Sequence, residues 1–212
     1  MKLFKFAFLL VCILLLHKPC NAEIYVIDAA KNSVMHNNLG MNYFNEGYYY
    51  GAIQEFKIAI SLNPNTQASA GYFDNLGRTY LTIGYPALAE DCFINAIKLN
   101  PMNLSYRQHL ADTYRRMGKA VLNGKLEEYL KSKNPLDSVM VGLLYIEKGD
   151  TSAGIIKLDE FCITQSNLIL AEGVKSYLKT ITPKRHENLW FLKKNQLVIL
   201  KRQFSFSRHS ER

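Results

Sequence analysis

Residues 37–56 read NNLGMNYFNEGYYYGAIQEF, with three glycines inside a pattern that otherwise predicts helix. A phosphate-binding loop needs a preceding strand and a Lys followed by Ser or Thr, and this stretch has neither. Gly47 follows Asn45 and Glu46 at a point where a helix ends, and a residue with positive φ is favoured there. The stretch therefore predicts two helices joined by a turn at Gly47.

The small and aromatic residues of this stretch return further along the chain. The first set is Leu39, Gly40, Tyr43, Gly47, Ala52, Phe56, Ala59 and Pro64, and the second is Leu76, Gly77, Tyr80, Gly84, Ala89, Phe93, Ala96 and Pro101. Shorter copies follow as Leu110, Ala111, Tyr114 and Gly118, and as Val141, Gly142, Tyr145 and Gly149. In all four copies the turn glycine lies seven residues after the small residue, so the sequence predicts a repeat array.

This pattern resembles the tetratricopeptide repeat, a helix pair of about 34 residues. The resemblance implies an all-α fold, a right-handed α-solenoid of antiparallel helix pairs with about four repeats and a capping helix. The predicted repeats are 33–66, 70–103, 104–134 and 135–168, with a cap at 169–182 in a domain of residues 23–182. The second helices of the last two copies depart from the pattern at Asn123 and Glu127 and at Gly154 and Leu158, which stand where Ala and Phe are expected.

Packing explains most of the opening stretch. Gly40 is small because two helices that cross closely leave no room for a larger side chain, and Pro64 ends the second helix. Tyr49 is predicted to pack beside the turn, with Tyr48 and Tyr50 at the surface. Gly51 has no such role in the pattern, although glycine inside a helix costs about 1 kcal/mol relative to alanine. Residues 65–70 are extra, and they lengthen either a loop or the start of the next helix.

The first 22 residues resemble a secretory signal. Lys2 and Lys5 precede an apolar run over residues 6–16, and Ala22 offers a small residue for cleavage. The run is shorter than the roughly 20 residues that span a bilayer. We therefore expect a secreted or periplasmic protein, cleaved near Ala22, with retention as a membrane anchor as the alternative.

The net charge of +8 is unevenly distributed. Residues 23–182 carry 15 basic and 16 acidic residues, whereas residues 183–212 carry eight basic residues and two acidic ones. A nearly neutral body removes the electrostatic reason to expect nucleic-acid binding. The basic tail contains Trp190 beside cations, so it predicts peripheral contact with an anionic membrane surface or a partner. The alternative is that the tail folds back onto the repeats.

The family places the first helix of each repeat on a concave side that holds a peptide or a partner helix. By that resemblance, the groove residues predicted here are Asn38, Met41, Phe44, Asn75, Arg78, His109, Asp112 and Arg116. Asn38 and Asn75 are equivalent in consecutive repeats, and amides both donate and accept hydrogen bonds, so they suit the backbone of an extended chain. Solvated asparagines on a polar face are the alternative. The family's clamp for acidic chaperone tails matches only at Asn75 and is not expected here.

No constellation for chemistry is apparent in the sequence. Cys92 and Cys162 are predicted to be buried packing residues, and no cysteine spacing suits zinc. His36 takes the leading aromatic position of its repeat, and His109 faces the groove. We therefore predict a non-catalytic protein-binding scaffold without cofactors, with a membrane-associated adaptor as the alternative.

Overall fold

The computed structural model describes the backbone of residues 22–182 and the side chains of residues 29–182. Every regular element in this part of the chain is an α-helix. The helices are α1 Ala22–Asn45, α2 Tyr49–Leu62, α3 Gln67–Thr82, α4 Pro86–Leu99, α5 Leu104–Arg116, α6 Lys119–Leu130, α7 Asp137–Lys148, α8 Thr151–Thr164 and α9 Ile169–Ile181. Residues 1–21 of the predicted signal and the whole predicted tail lie outside the described residues.

The helices form four consecutive pairs, α1 with α2, α3 with α4, α5 with α6 and α7 with α8. Each pair also packs against the next one, and α9 follows the fourth pair. Stacked helix pairs that contact mainly their neighbours make an α-solenoid, which confirms the predicted fold class.

The four turn glycines all adopt a positive φ, which the sequence predicted for Gly47 and Gly84. Their φ values are 83° at Gly47, 84° at Gly84, 108° at Gly118 and 96° at Gly149. Other side chains rarely adopt this backbone conformation, so glycine at each turn is a conformational requirement. The seven-residue spacing therefore marks the end of the first helix in every repeat.

Close helix crossings account for the small residues. A Cβ atom on Gly40 would lie 2.7 Å from Cε1 of Phe56, and one on Gly77 would lie 2.8 Å from Cε1 of Phe93. In the fourth repeat a Cβ on Gly142 would lie 2.6 Å from Cγ of Leu158. Leu158 thus fills the place that Phe takes in the first two repeats.

Gly51 also has a packing role. A Cβ atom there would lie 3.1 Å from Cδ2 of Tyr43, because the tyrosine ring lies against the first turn of α2. Tyr49 packs edge-to-face with Phe44, with ring centroids 5.6 Å apart. Tyr48 and Tyr50 are 65% and 71% exposed, as predicted.

The connections around Pro64 and Pro101 follow the pattern. α2 ends at Leu62 and α4 ends at Leu99, directly before the Asn-Pro pairs. The extra residues 65–70 mostly form the start of α3, where the Thr66 side chain accepts a hydrogen bond from the Ser69 backbone amide at 3.3 Å.

The predicted register of α6 is wrong by one residue. Leu122 and Leu126 are buried, whereas Glu127 is exposed and Asn123 is half-buried. The cause lies at the turn, because α6 begins directly after Gly118. In the other repeats one residue separates the glycine from the helix, namely Tyr48, Tyr85 or Asp150. Losing that residue moves the buried face of α6 back by one position.

α9 extends beyond the last repeat. Its buried residues, Leu170, Ala171, Val174 and Leu178, belong to a core cluster that includes residues of α4 to α8. A Cβ on Gly173 would lie 3.4 Å from Cβ of Leu104, at the start of α5. Tyr177 lies near Glu147 of α7, and burial together with that carboxylate raises the pKa of Tyr177. α9 therefore reaches from α8 to the first helices of the third and fourth repeats.

Candidate partner-binding groove

The first helices α1, α3 and α5 bring the predicted groove residues into neighbouring repeats. Asn38, Met41 and Phe44 lie on α1, Asn75 and Arg78 lie on α3, and His109, Asp112 and Arg116 lie on α5. Asn38 and Arg116 are exposed, and the other six are half-buried. The equivalent positions of α7 include Val139, Met140 and Leu143, which are buried in the same core cluster as α9. The polar surface is therefore confined to the first three repeats.

Two hydrogen bonds of the same pattern cross between repeats. Nδ2 of Asn75 donates to Oδ1 of Asn37 at 2.9 Å. Nδ1 of His109 lies 2.6 Å from Oδ1 of Asp74. In each bond, one partner lies two residues before the small residue of its own repeat. The other partner lies three residues before the small residue of the preceding repeat. We call these two bonds the rungs.

The rungs distinguish the two asparagines that the sequence treats as equivalent. Asn75 is half-buried and already uses one amide hydrogen on Asn37. Asn38 lies in the first repeat, is exposed, and makes no side-chain hydrogen bond with residues 29–182. Of the two, Asn38 has the amide whose donors and acceptor are all open to a partner.

An aromatic and cationic pair lies beside the rungs. The guanidinium of Arg78 lies 5.6 Å from the centre of the Phe44 ring, within the range of a cation–π interaction. Met41 and Phe44 pack against the core cluster that contains Ile53 and Phe56. Among the described residues, Arg78 forms no salt bridge with a carboxylate. The Phe44–Arg78 pair thus presents an apolar ring and a guanidinium cation in a fixed position to a partner.

The first helix of the third repeat carries several charged side chains. Asp112 accepts hydrogen bonds from Arg115 and from Nε of Arg116, the latter at 2.8 Å. Burial would raise the pKa of Asp112, but its hydrogen bonds with Arg116 and Arg115 lower it below its usual value. Arg115 also reaches Oε2 of Glu147 at 2.8 Å. These charges pair with one another, so this end of the groove is already neutralised.

A polar network holds the third repeat to the second. Nζ of Lys125 lies 3.3 Å from Oε1 of Glu90 and 5.3 Å from the centre of the Tyr114 ring. Burial raises the pKa of both Tyr114 and Tyr129, which keeps the two phenols neutral. No sequence pattern indicates this network, because its members belong to three different helices and depend on the shifted register of α6.

The two cysteines and His36, the remaining candidates for a catalytic role, are packed or hydrogen-bonded within the fold. Cys92 and Cys162 are free and buried, and burial raises the pKa of these thiols to about 12 and about 11. They are packing residues, as predicted, because thiols this basic are poor nucleophiles near neutral pH. His36 is half-buried, with Nδ1 2.6 Å from Oε2 of Glu55.

The described part of the chain contains neither a metal-binding cluster nor a membrane-spanning helix. Among its side chains, no group of three His, Cys, Asp or Glu residues is arranged to hold a metal ion. Its helices include none with the length and apolar character needed to cross a bilayer.

Comparisons with known proteins identify the repeats. Residues 34–66 and 70–103 match the family model of the tetratricopeptide repeat. A search of curated protein sequences gave no significant match. Among solved structures, MamA is 21% identical, over 64% of this chain and 74% of that one, with a TM-score of 0.43. PilF of Pseudomonas aeruginosa is 17% identical, over 69% of this chain and 67% of that one, with a TM-score of 0.44.

A third solved structure is YrrB, described as a TPR protein with an unusual peptide-binding site. It is 19% identical, over 68% of this chain and 74% of that one, with a TM-score of 0.41. Because all three TM-scores lie below 0.5, the fold is assigned from the chain's own helix pairs and from the matched segments. Residues 34–66 and 70–103 are thus tetratricopeptide repeats, and two further helix pairs follow them in the same solenoid.

Proposed function

We propose that this protein is a non-catalytic scaffold that binds an extended peptide segment of a partner protein along α1 and α3. The open amide of Asn38, next to Met41 and the Phe44–Arg78 pair, is the observation that carries the proposal. These groups offer hydrogen bonds, apolar area and a cation within two adjacent repeats. Such a mixture suits an extended peptide, which presents backbone polar groups and side chains at the same time.

Each group has a distinct part in the proposed complex. The Asn38 amide donates to a backbone carbonyl of the peptide and accepts from a backbone N–H. Met41 and Phe44 cover an apolar side chain of the peptide, while the hydrogen bond between Asn75 and Asn37 holds α1 and α3 at a fixed separation. A groove held in place before binding reduces the ordering cost of association.

The proposed cellular setting is outside the cytoplasm. It is supported by the first 22 residues of the sequence, where two lysines precede an apolar run and Ala22 follows as a small residue. Sequencing the N-terminus of the protein recovered from an exported fraction tests this part. A mature start at Glu23 agrees with it, and a retained Met1 contradicts it.

Selection from a random peptide display library tests the groove directly. The full chain is immobilised, and a selected peptide is then titrated against each variant by fluorescence anisotropy. Asn38→Ala should weaken binding about two- to tenfold, because one net hydrogen bond is worth about 0.5–1.5 kcal/mol. Asn65→Ala is the matched control, since Asn65 is an exposed amide between α2 and α3.

The expected result requires unchanged helicity in both variants, measured by circular dichroism. Failure to select any peptide, or equal affinity of the Asn38→Ala variant and the parent chain, would contradict the proposed mode of binding.

A further inference from the structure

Arg78 differs in its hydrogen bonding from the other arginines that the structure describes. Arg107 donates to a backbone carbonyl, and Arg115 and Arg116 each donate to a carboxylate. The five N–H donors of Arg78 have no acceptor among residues 29–182. None of its nitrogens is buried without a partner, so these donors are in contact with solvent.

The carboxylates closest to Arg78 along the chain do not neutralise it. Asp74 is the acidic residue of α3 and lies four residues before Arg78, a spacing that favours an ion pair on a helix. Its Oδ1 instead lies 2.6 Å from Nδ1 of His109, in the rung between the second and third repeats. Glu46, which follows α1, is exposed and forms no salt bridge with the described residues. Arg78 therefore keeps its positive charge uncompensated within residues 29–182.

Phe44 holds this cation in position. The guanidinium carbon of Arg78 lies 5.6 Å from the centre of the Phe44 ring, and both side chains are half-buried. A cation–π contact holds the guanidinium without supplying a hydrogen-bond acceptor. The planar N–H fork of arginine matches a carboxylate, which it can bind through two parallel hydrogen bonds. A carboxylate of the bound peptide is thus the acceptor that this guanidinium suits best.

The geometry of an extended peptide sets the place of that carboxylate. Successive residues rise about 3.3 Å and alternate between two sides, so residues two apart share one side and lie about 6.6 Å from each other. The 5.6 Å between the Arg78 guanidinium and the Phe44 ring is close to this distance. A peptide whose apolar side chain covers Phe44 and Met41 can therefore place an acidic side chain, two positions away, at Arg78.

We infer that the partner segment is acidic, with Asp or Glu two positions from an apolar residue and its side-chain carboxylate paired with Arg78. The inference rests on the proposed peptide groove and names the class of peptide that the groove selects. On α5, Asp112 already pairs with Arg115 and Arg116, so those cations are neutralised. Arg78 thus supplies the charge selectivity of the groove along α1 and α3.

Peptides with a blocked C-terminus test the acidic preference. Selection on the full chain from the random display library should enrich Asp and Glu two positions from an apolar residue. A selected peptide is then synthesised with an amidated C-terminus, together with a copy in which that acidic residue is replaced by its amide. In fluorescence anisotropy the parent chain should bind the amide copy about fivefold to thirtyfold more weakly, because a half-buried ion pair is lost.

Arg78→Gln removes the proposed partner of that carboxylate. This variant should bind the acidic peptide as weakly as the parent chain binds the amide copy, and it should no longer distinguish the two peptides. Arg116→Gln is the matched control, because it removes the same charge from an exposed arginine of α5. It should keep the preference of the parent chain. Circular dichroism checks the helicity of both variants, and the comparison of the two peptides on the parent chain requires no variant.

Three outcomes would overturn the inference. They are selected peptides without the acidic residue, equal affinity of the parent chain for the acidic peptide and its amide copy, and a preference that Arg78→Gln lowers no more than Arg116→Gln does. In each case the selected peptides still bind, and their weakening by Asn38→Ala leaves the proposed function in place. Failure to select any peptide contradicts both the proposed function and the acidic preference.

Discussion

In the second repeat, Gly77 lies against the Phe93 ring, so that α3 and α4 cross closely. In the third repeat, Ala111 stands at the small position, α5 and α6 pack less extensively, and Lys125, Glu90 and Tyr114 form a polar network instead. One residue missing after Gly118 separates the two arrangements. A turn of fixed conformation can thus join helices of different register, provided that other contacts replace the lost packing.

Truncation of a buried side chain of α6 is expected to cause the largest loss in the free energy of unfolding. Leu126→Ala should lower the free energy of unfolding by about 2–5 kcal/mol, because it removes a buried side chain and leaves a cavity. Glu127→Ala should change it by no more than about 0.5 kcal/mol, since Glu127 is exposed. Urea denaturation followed by circular dichroism measures both. A larger loss in the Glu127 variant would restore the register that the repeat pattern alone predicts.

Loss of one of the rungs is expected to lower the free energy of unfolding by an intermediate amount. His109→Ala should cost about 1–3 kcal/mol, because it leaves the buried Asp74 carboxylate without its imidazole partner. Asn37→Ala should cost about 1 kcal/mol or less, since the Asn75 amide it releases is only half-buried. The same denaturation measurement compares the two variants. Equal losses would mean that the rung between the second and third repeats is no stronger than the first.

The smallest expected effect is the pH dependence contributed by Cys92. Burial raises the pKa of this thiol from 9.0 to about 12, so the thiol ionises in the unfolded chain before it does so in the folded one. The stabilising contribution is complete below pH 9 and is lost as the pH rises above it. At pH 9.5 the loss is below about 1 kcal/mol. Cys92→Ala should therefore flatten the fall in unfolding free energy between pH 8 and 10, and an unchanged slope would contradict this origin.

Local patterns allowed much of the fold to be predicted. The positive φ of Gly47 and Gly84 and the close crossing at Gly40 follow from residues that are near each other in the chain. The repeat pattern did not explain Gly51, because its contact with the ring of Tyr43 depends on how closely α1 and α2 pack at the turn. The register of α6 was mispredicted because the pattern was extended at constant spacing past Gly118, where one residue is missing.

The groove was less predictable than the fold. Repeat equivalence indicated which residues lie on the first helices, but it could not distinguish Asn38 from Asn75. That distinction depends on the offset between stacked repeats, which brings Asn75 within 2.9 Å of Asn37. The reach of α9 to α5 is likewise a contact between distant parts of the chain, and no short sequence pattern encodes it.

Because α9 covers one end of the solenoid, a new repeat can be added more easily at one end than at the other. A helix pair added ahead of α1 by duplication would meet a face on which Met35 and Leu39 are 60% and 37% exposed. A helix pair added after α8 would have to displace Leu170, Val174 and Leu178 from the core before it could stack. Lineages that lengthen this solenoid are therefore expected to gain repeats on the side of α1.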